Sequence, residues 1–275
     1  MTQAFPILPA IQPARAHGGV RATFRHDGAK TAVFKIEERD GYRMRFPRGG
    51  IGCEGVILNT GGGVVAGDRI VHNVECGDGA DVTITAPSAE RIYRSEGDYA
   101  GIDVQFTLAP KARLAWLPQQ TILYDNARLT REFHIEMAAD SSALLAETTV
   151  FGRKGMSEAV TQGAWIDRWR VRRSGRMVFA KNNRFDGPIA ELLMRSAIGG
   201  GAHILATVLY VAPDAESRLA SVRAALVDAQ GIGASAWNGL LYIRAVSADF
   251  EVLRRTLGQA IVAIRGVAMP RVWSA

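Results

Sequence analysis

Three stretches of this chain repeat one pattern, and that repetition limits the folds open to it more than anything else does. VECGDGADVTITAPSA starts at Val74, FTLAPKARLAWLPQQT at Phe106 and IEMAADSSALLAETTV at Ile135. Each begins apolar, crosses a polar turn of about four residues, meets a small residue and continues with alternating apolar positions. Val82, Leu114 and Leu144 align in this scheme, at spacings of 32 and 30 residues. A unit of that length buries its apolar face only by stacking on its neighbours. Val82, Ile84 and Ala86 alternate with Thr83 and Thr85, the period of a strand. The expectation is a layered, β-helix-like stack of short strands with turns at matching heights. A fourth, weaker copy is read in SAIGGGAHILATVLYV, from Ser196.

The rest of the chain extends this frame. Ala164–Lys181 reads as a hairpin turning at Ser174-Gly175, with Trp165, Asp167, Trp169 and Val171 on one face and Arg168, Arg170 and Arg172 on the other. Helical spacing comes late. Leu219, Val222, Leu226 and Ala229 share a stripe after Pro213-Asp214. Phe250, Leu253, Leu257, Ile261 and Ile264 share another, with Asp249 as its cap. NGLLYIRAVS between them reads as a strand. The fold class is therefore α+β and predominantly β, with two C-terminal helices on the sheet. No linker divides the chain, so residues 1–275 are taken as one domain, and prolines mark residues 1–20 as an extended N-terminal arm.

The densest glycine cluster is LNTGGGVVAGDRI, residues 58–70. Gly61, Gly62, Gly63 and Gly67 give it the freedom to turn sharply or to approach something closely. A phosphate is the obvious candidate, but a P-loop needs Lys-Ser/Thr where Asp68-Arg69 stands. A dinucleotide fingerprint lacks its third glycine at Ala66, and a strand-like RIVHNVECG follows in place of a helix. A structural turn between two strands is the competing reading.

Composition narrows the function classes. The chain is 48% hydrophobic, with a net charge of +6. It has no apolar run of membrane-spanning length and no secretory signal, and its two cysteines make no disulfide framework, so the cytoplasm is the expected compartment. The positive charge keeps nucleic acid open as a partner through the arginine strip Arg168–Arg176. The alternative is a solvated arginine face over a tryptophan core. His17, His26, His72, His134 and His203 form no metal-ligand pair with another histidine or a cysteine. In a strand His72 and Cys76 share a face but stand about 13 Å apart, and all five histidines read as isolated surface or cap residues. No nucleophile–base constellation is present, which argues against an enzyme.

Several blocks, in one order, resemble the UreD (UreH) family of urease accessory proteins. ILNTGGGVVAGDRI resembles its glycine-rich signature, and TAPSAERIYRS (Thr85–Ser95) the block after it. LAWLPQQTILYDNARL (Leu114–Leu129), FGRKGMSEA (Phe151–Ala159) and MPRVWS (Met269–Ser274) are similar to three more. Ala180-Lys181 departs from the acidic residue and arginine that many relatives carry there. The resemblance implies a non-catalytic scaffold for loading nickel into urease. It would bind urease apoprotein and a UreF-type accessory protein, and through the latter a UreG-type GTPase. It implies no tightly bound cofactor and no stable metal site, only transient Ni²⁺ in an internal polar passage. By motif, passage-lining carboxylates map onto Asp68 and Glu147. Oxygen ligands suit an ion that must leave again. The glycines would then let two β layers approach closely.

Overall fold

The computed structural model describes residues 15–48, 52–153 and 158–273. Its elements run β1 (His17–His26), β2 (Thr31–Arg39), β3 (Tyr42–Arg45), β4 (Cys53–Asn59), β5 (Arg69–Cys76), β6 (Asp81–Thr85), β7 (Glu90–Ile92), β8 (Ala100–Leu108), β9 (Arg113–Leu117), β10 (Thr121–Leu123), β11 (Arg128–Met137), β12 (Ser142–Phe151), β13 (Gly163–Arg173), β14 (Arg176–Gly187), α1 (Ile189–Met194), β15 (Ile204–Val211), α2 (Leu219–Ala225), β16 (Ile232–Trp237), β17 (Leu240–Ser247) and α3 (Phe250–Arg265). The part of the proposed N-terminal arm at residues 1–14 lies outside the described residues, and from His17 the chain is already strand.

Two sheets face each other. The first has the order β14-β13-β11-β8-β5-β1-β2, and the second runs β16-β17-β15-β12-β9-β6-β4-β3 with β7 and β10 beside it. The repeat is the coil of this stack. β5, β8, β11 and β13 lie parallel in the first sheet, and β4, β6, β9 and β12 lie parallel in the second. Between the sheets the chain turns at one height three times, through residues 77–80, 109–112 and 138–141, each closed by a backbone bond from its fourth residue to its first. Antiparallel hairpins β1–β2, β3–β4 and β13–β14, and the run β12-β15-β17-β16, finish the ends.

The register confirms Val82 opposite Leu114 but sets Ala143, not Leu144, opposite Leu114. The slip has a physical source. Both faces of β12 are buried, so apolarity alone does not say which residue points inward. The weak fourth copy is no coil: β15 runs antiparallel to β12, and residues 196–201 are turn.

Two apolar cores result. One fills the space between the sheets, around Phe24, Phe106, Phe133 and Trp169. The other lies between the outer face of the second sheet and the helices, where Leu144, Val208 and Ile243 meet Val222, Leu253, Leu257 and Ile261. α3 begins as expected: the Asp249 carboxylate accepts the Val252 amide at 3.0 Å, and Gly266 closes the helix at φ 70°. α2 is shorter than its stripe implied. Asp214 accepts from Tyr210 and Arg218 in place of capping, and a 3₁₀ turn occupies Glu216–Arg218. The short α1, and β16 pairing back on β17, add to the expected elements.

Candidate interlayer site

The glycine loop carries the chain from β4 in the second sheet to β5 in the first. At Gly63 (φ 157°) a Cβ would sit 2.4 Å from the Tyr93 ring and 2.8 Å from the Arg91 carbonyl oxygen. Val64 donates to that carbonyl at 2.8 Å, so this glycine permits a backbone-to-backbone approach that a side chain would block. Gly62 and Gly67 have positive φ as well, whereas Gly61 does not. Asp68 closes the loop. One of its carboxylate oxygens accepts the Ala16 amide at 2.8 Å and the other the Val65 amide at 2.9 Å. It is buried, and it does not line either of the two interlayer cavities described below.

Glu147 lies elsewhere. Along β12, positions 143, 145, 147, 149 and 151 face the first sheet, and Glu147 with Thr149 interrupts an otherwise apolar row. Opposite them, Arg131 of β11 pairs in register with Asp167 of β13, and Glu147 pairs in register with Thr207 of β15. The result is a buried quartet. Arg131 donates to Asp167 at 2.8 Å and to Glu147. Lys181 of β14 lies 2.6 Å from Asp167 and 3.3 Å from Thr207. Trp116 Nε1 donates to Glu147 at 2.6 Å, and Thr121 and Thr149 accept from Arg131. Two cations thus balance two carboxylates, all four side chains buried.

The quartet is electrically uneven. Burial opposes ionisation of Asp167, but Arg131 and Lys181 together hold its carboxyl below the ordinary range. Burial pushes Glu147 up, and Arg131 and Trp116 only partly offset it. Burial also lowers Lys181. Sequence reasoning found Glu147 by motif and placed Asp167 on the inward face. It did not single out Arg131, although alternation with Leu129, Phe133 and Ile135 places it on the same inward face.

Two cavities border this quartet. The first, about 190 Å³, runs from Gly62, Tyr42 and Asn59 past His72 and Trp116 to Arg131 and Glu147. The second, about 200 Å³, lies against Arg131 and Glu147 too and is lined further by Asp167, Lys181, Asn183, Gly231 and Arg244. The departure at Ala180-Lys181 therefore falls on the site. His72 is not a surface or cap residue. It points inward from β5, buried against Tyr42 and Trp116 at ring distances of 5.2 and 6.0 Å. Burial lowers its imidazole to about 4. The expectation failed because period-2 alternation places His72 in line with Ile70 and Val74, a signal present but not weighed.

The outer face of the first sheet carries the arginine strip. Arg168 pairs with Glu132 at 2.7 Å and Arg172 with Glu136 at 3.2 Å, while Arg170 bonds two carbonyls and Asn182. The tryptophans at 165 and 169 lie underneath, buried. Asp103, Glu132 and His134 sit together on that face, their ligand atoms within 4.8 Å of one another, with Glu132 already held by Arg168. Among the described residues no helix is long and apolar enough to cross a membrane.

Comparison with known proteins agrees with the resemblance. The family model described as UreD urease accessory protein matches residues 16–274. A urease accessory protein UreD from Xanthobacter autotrophicus is 45% identical over 261 residues, covering 94% of this chain and 90% of its own. One from a Methylobacterium species is 46% identical over 253 residues, 90% of each chain. A third, from Azorhizobium caulinodans, is 43% identical and covers 94% of this chain and 97% of its own. A match over nearly the whole length, with relatives this similar, makes the chain a member of the UreD urease accessory protein family, with a role in urease maturation.

Proposed function

We propose that the chain is a non-catalytic scaffold that binds urease apoprotein and a UreF-type accessory protein, with a UreG-type GTPase joined through the latter. Nickel crosses it between the two sheets on its way to the urease active site. The observation that supports this reading is that two cavities are both lined by the buried pair Arg131 and Glu147. A polar seam is not what packing alone would select in an apolar sandwich, because buried ion pairs rarely stabilise more than an apolar filling does. Carboxylate oxygens hold Ni²⁺ loosely enough for release. Arg131 and Lys181 neutralise the two carboxylates, which keeps the seam from becoming a trap for the ion. Asp68 serves the same reading from the loop: both of its oxygens are engaged by backbone amides, so it holds the glycine turn at the sheet crossing.

Exposed apolar residues on the helix layer, Val227, Val252 and Val262, support a partner surface. The nucleic-acid alternative is disfavoured because Arg168 and Arg172 are neutralised by neighbouring glutamates. The test is Glu147→Gln in a cell co-expressing urease and the accessory proteins. Nickel per urease active site is measured beside a pull-down of the complex. The expected outcome is an intact complex with urease short of nickel, and full loading would refute the passage.

A further inference from the structure

We propose that the C-terminal segment Met269–Trp273 is a positioning strap, in which Trp273, together with Gln119 opposite it, fixes the loop at residues 118–120 that walls the opening of the first cavity. The inference rests on the passage reading and names residues that set one of its openings. Two of the blocks that carry the family resemblance, LAWLPQQTILYDNARL and MPRVWS, meet here across 153 and 156 residues of chain. The Trp273 indole Nε1 donates to the Leu117 carbonyl at 3.0 Å, and Gln119 Nε2 donates to the Val272 carbonyl at 2.9 Å. One bond thus runs from strap to loop and the other from loop to strap. The strap is itself held: Arg254 of α3 donates to the Trp273 carbonyl, and the Trp273 amide donates to the Pro270 carbonyl at 2.9 Å. Met269 and Trp273 pack on the helix-side core, which includes Leu117. Only about 10 Å³ is left open between Trp273, Phe250 and Leu257 and the loop residues Pro118, Gln119 and Gln120, at most room for one water.

The other side of the loop is the cavity. Pro118 and Gln119 line it, and it reaches the surface among Gly62, Pro87, Ser88 and Arg91, all exposed. Residues 118–120 lie between β9 and β10, outside any strand, so no sheet ladder fixes them. Such a segment moves unless its surroundings hold it. Two bonds tie it to the facing wall: the Glu90 amide donates to the Gln120 carbonyl at 3.0 Å, and the Thr85 hydroxyl donates to the Leu117 carbonyl at 2.6 Å. The Leu117 carbonyl therefore accepts from Thr85 at the cavity and from Trp273 at the strap. Apolar packing alone would fill the space behind the loop. An indole N–H and a primary amide add directional donors, which specify one position of the loop. A site is as well placed as the residues behind it, and here those residues come from the end of the chain.

The experiment uses Trp273→Phe, which keeps an apolar ring and removes the N–H, and Gln119→Met, which keeps the side-chain length and removes the amide. Hydrogen exchange of the purified full chain reports the loop directly, at the Glu90 amide that bonds Gln120. The expected result is exchange about two- to tenfold faster there, the factor that one lost hydrogen bond allows, and unchanged along β11. In cells co-expressing urease and the accessory proteins, nickel per urease active site is followed over a series of nickel concentrations, beside a pull-down of the complex. A displaced opening raises the nickel concentration at half loading and leaves the plateau in place, which is the outcome expected of both variants. A lowered plateau alone reports a shortage of folded chain and overturns the positioning role. Unchanged exchange at Glu90 in the folded variants overturns the strap, and so does wild-type half loading with the loop loosened. Glu147→Gln separates this from the passage reading. If it loads poorly while both strap variants load as wild type, the passage survives and the strap does not. If it loads fully while the strap variants need more nickel, the strap stands and its opening serves a route that avoids Glu147. Should Trp273→Phe fail to fold, Gln119→Met decides by the same two measurements.

Discussion

The strand β12 has two buried faces, and they are built differently. Outward, Leu144, Ala146 and Val150 join the helix-side core, and the one polar residue among them, Thr148, carries no charge. Inward, Ala143 and Leu145 give way to Glu147 and Thr149, which face Arg131 and Asp167. One strand carries a largely apolar surface on one side and a charged seam on the other, and the charged side is the more completely buried. Stability does not account for the difference, since apolar residues of similar volume would fill the inner space at least as well. The helix-side core shows what this sheet does when only packing matters. The interlayer seam is where the molecule departs from that, and it is there that function is to be sought.

The comparison is tested most severely by Arg131→Ala. It leaves Glu147 and Asp167 buried with one neighbouring cation, and removing one partner of a buried charge pair destabilises by about 3–5 kcal/mol. Urea unfolding should show that loss. Replacing Arg131, Glu147, Asp167 and Lys181 together by apolar residues of matching volume should recover most of it. If the fourfold variant stays as unstable as the single one, the seam holds the fold together and the contrast between the two cores fails.

Acid sharpens the contrast next. His72 titrates at about 4 when folded and at about 6.5 when unfolded. Between those values the unfolded chain binds the extra proton, so stability is intact above pH 6.5 and falls as the pH drops, levelling off near 4. A shift of that size corresponds to about 3 kcal/mol. His72→Phe should flatten this part of the stability curve, measured as denaturant midpoint against pH. An unchanged acid arm would mean that His72 is hydrated.

Asp68→Asn comes third. An amide keeps one acceptor but presents a donor to the second backbone N–H, at Ala16 or Val65. Losing one hydrogen bond to a charged group is worth about 1.5–3 kcal/mol. The melting temperature should fall while nickel per urease site holds, once the folded fraction is matched. Reduced nickel at equal folded protein would place the Asp68 charge in the ion's path, as its motif first implied.

What the sequence made legible follows the same division. The coil and its turns were readable because each repeat unit keeps its polar corner and its alternation. Val82 and Leu114 fell in register for that reason. Leu144 was displaced by one because apolar residues on both faces of β12 erase the parity that sets register. The seam was half readable. Asp167 was assigned to the inward face by alternation with the arginines, and Glu147 by motif. Lys181 shares the predicted hairpin with Asp167, but Arg131 reaches Asp167 only because β11 pairs with β13 in the sheet, 36 residues away in the chain. His72 was passed over because a lone histidine has no sequence partner to mark it, although its alternation with Ile70 and Val74 already pointed inward.

The smallest expected effect serves as the internal control. Asp249 caps α3 from an exposed position, accepting the Val252 amide at 3.0 Å, with backbone angles of −125° and 115°. Asp249→Ala leaves that amide to water and should destabilise by about 1 kcal/mol. α3 rests on the helix-side core through Leu253, Leu257, Ile261 and Ile264, and none of these lines either interlayer cavity. Losing the cap loosens the first turn of the helix, not the seam. Thermal unfolding should therefore shift slightly downward, while Ni²⁺ binding by the folded chain stays at the wild-type value. Asp68→Asn and Asp249→Ala are then a pair, both loosening a cap, one in the glycine loop where the chain crosses between the sheets and one on the helix layer. If Asp249→Ala also lowers nickel binding in proportion to its small loss of stability, nickel retention simply reports how well the chain is folded. If it does not, a nickel defect in any interlayer variant of equal or greater stability is chemical in origin.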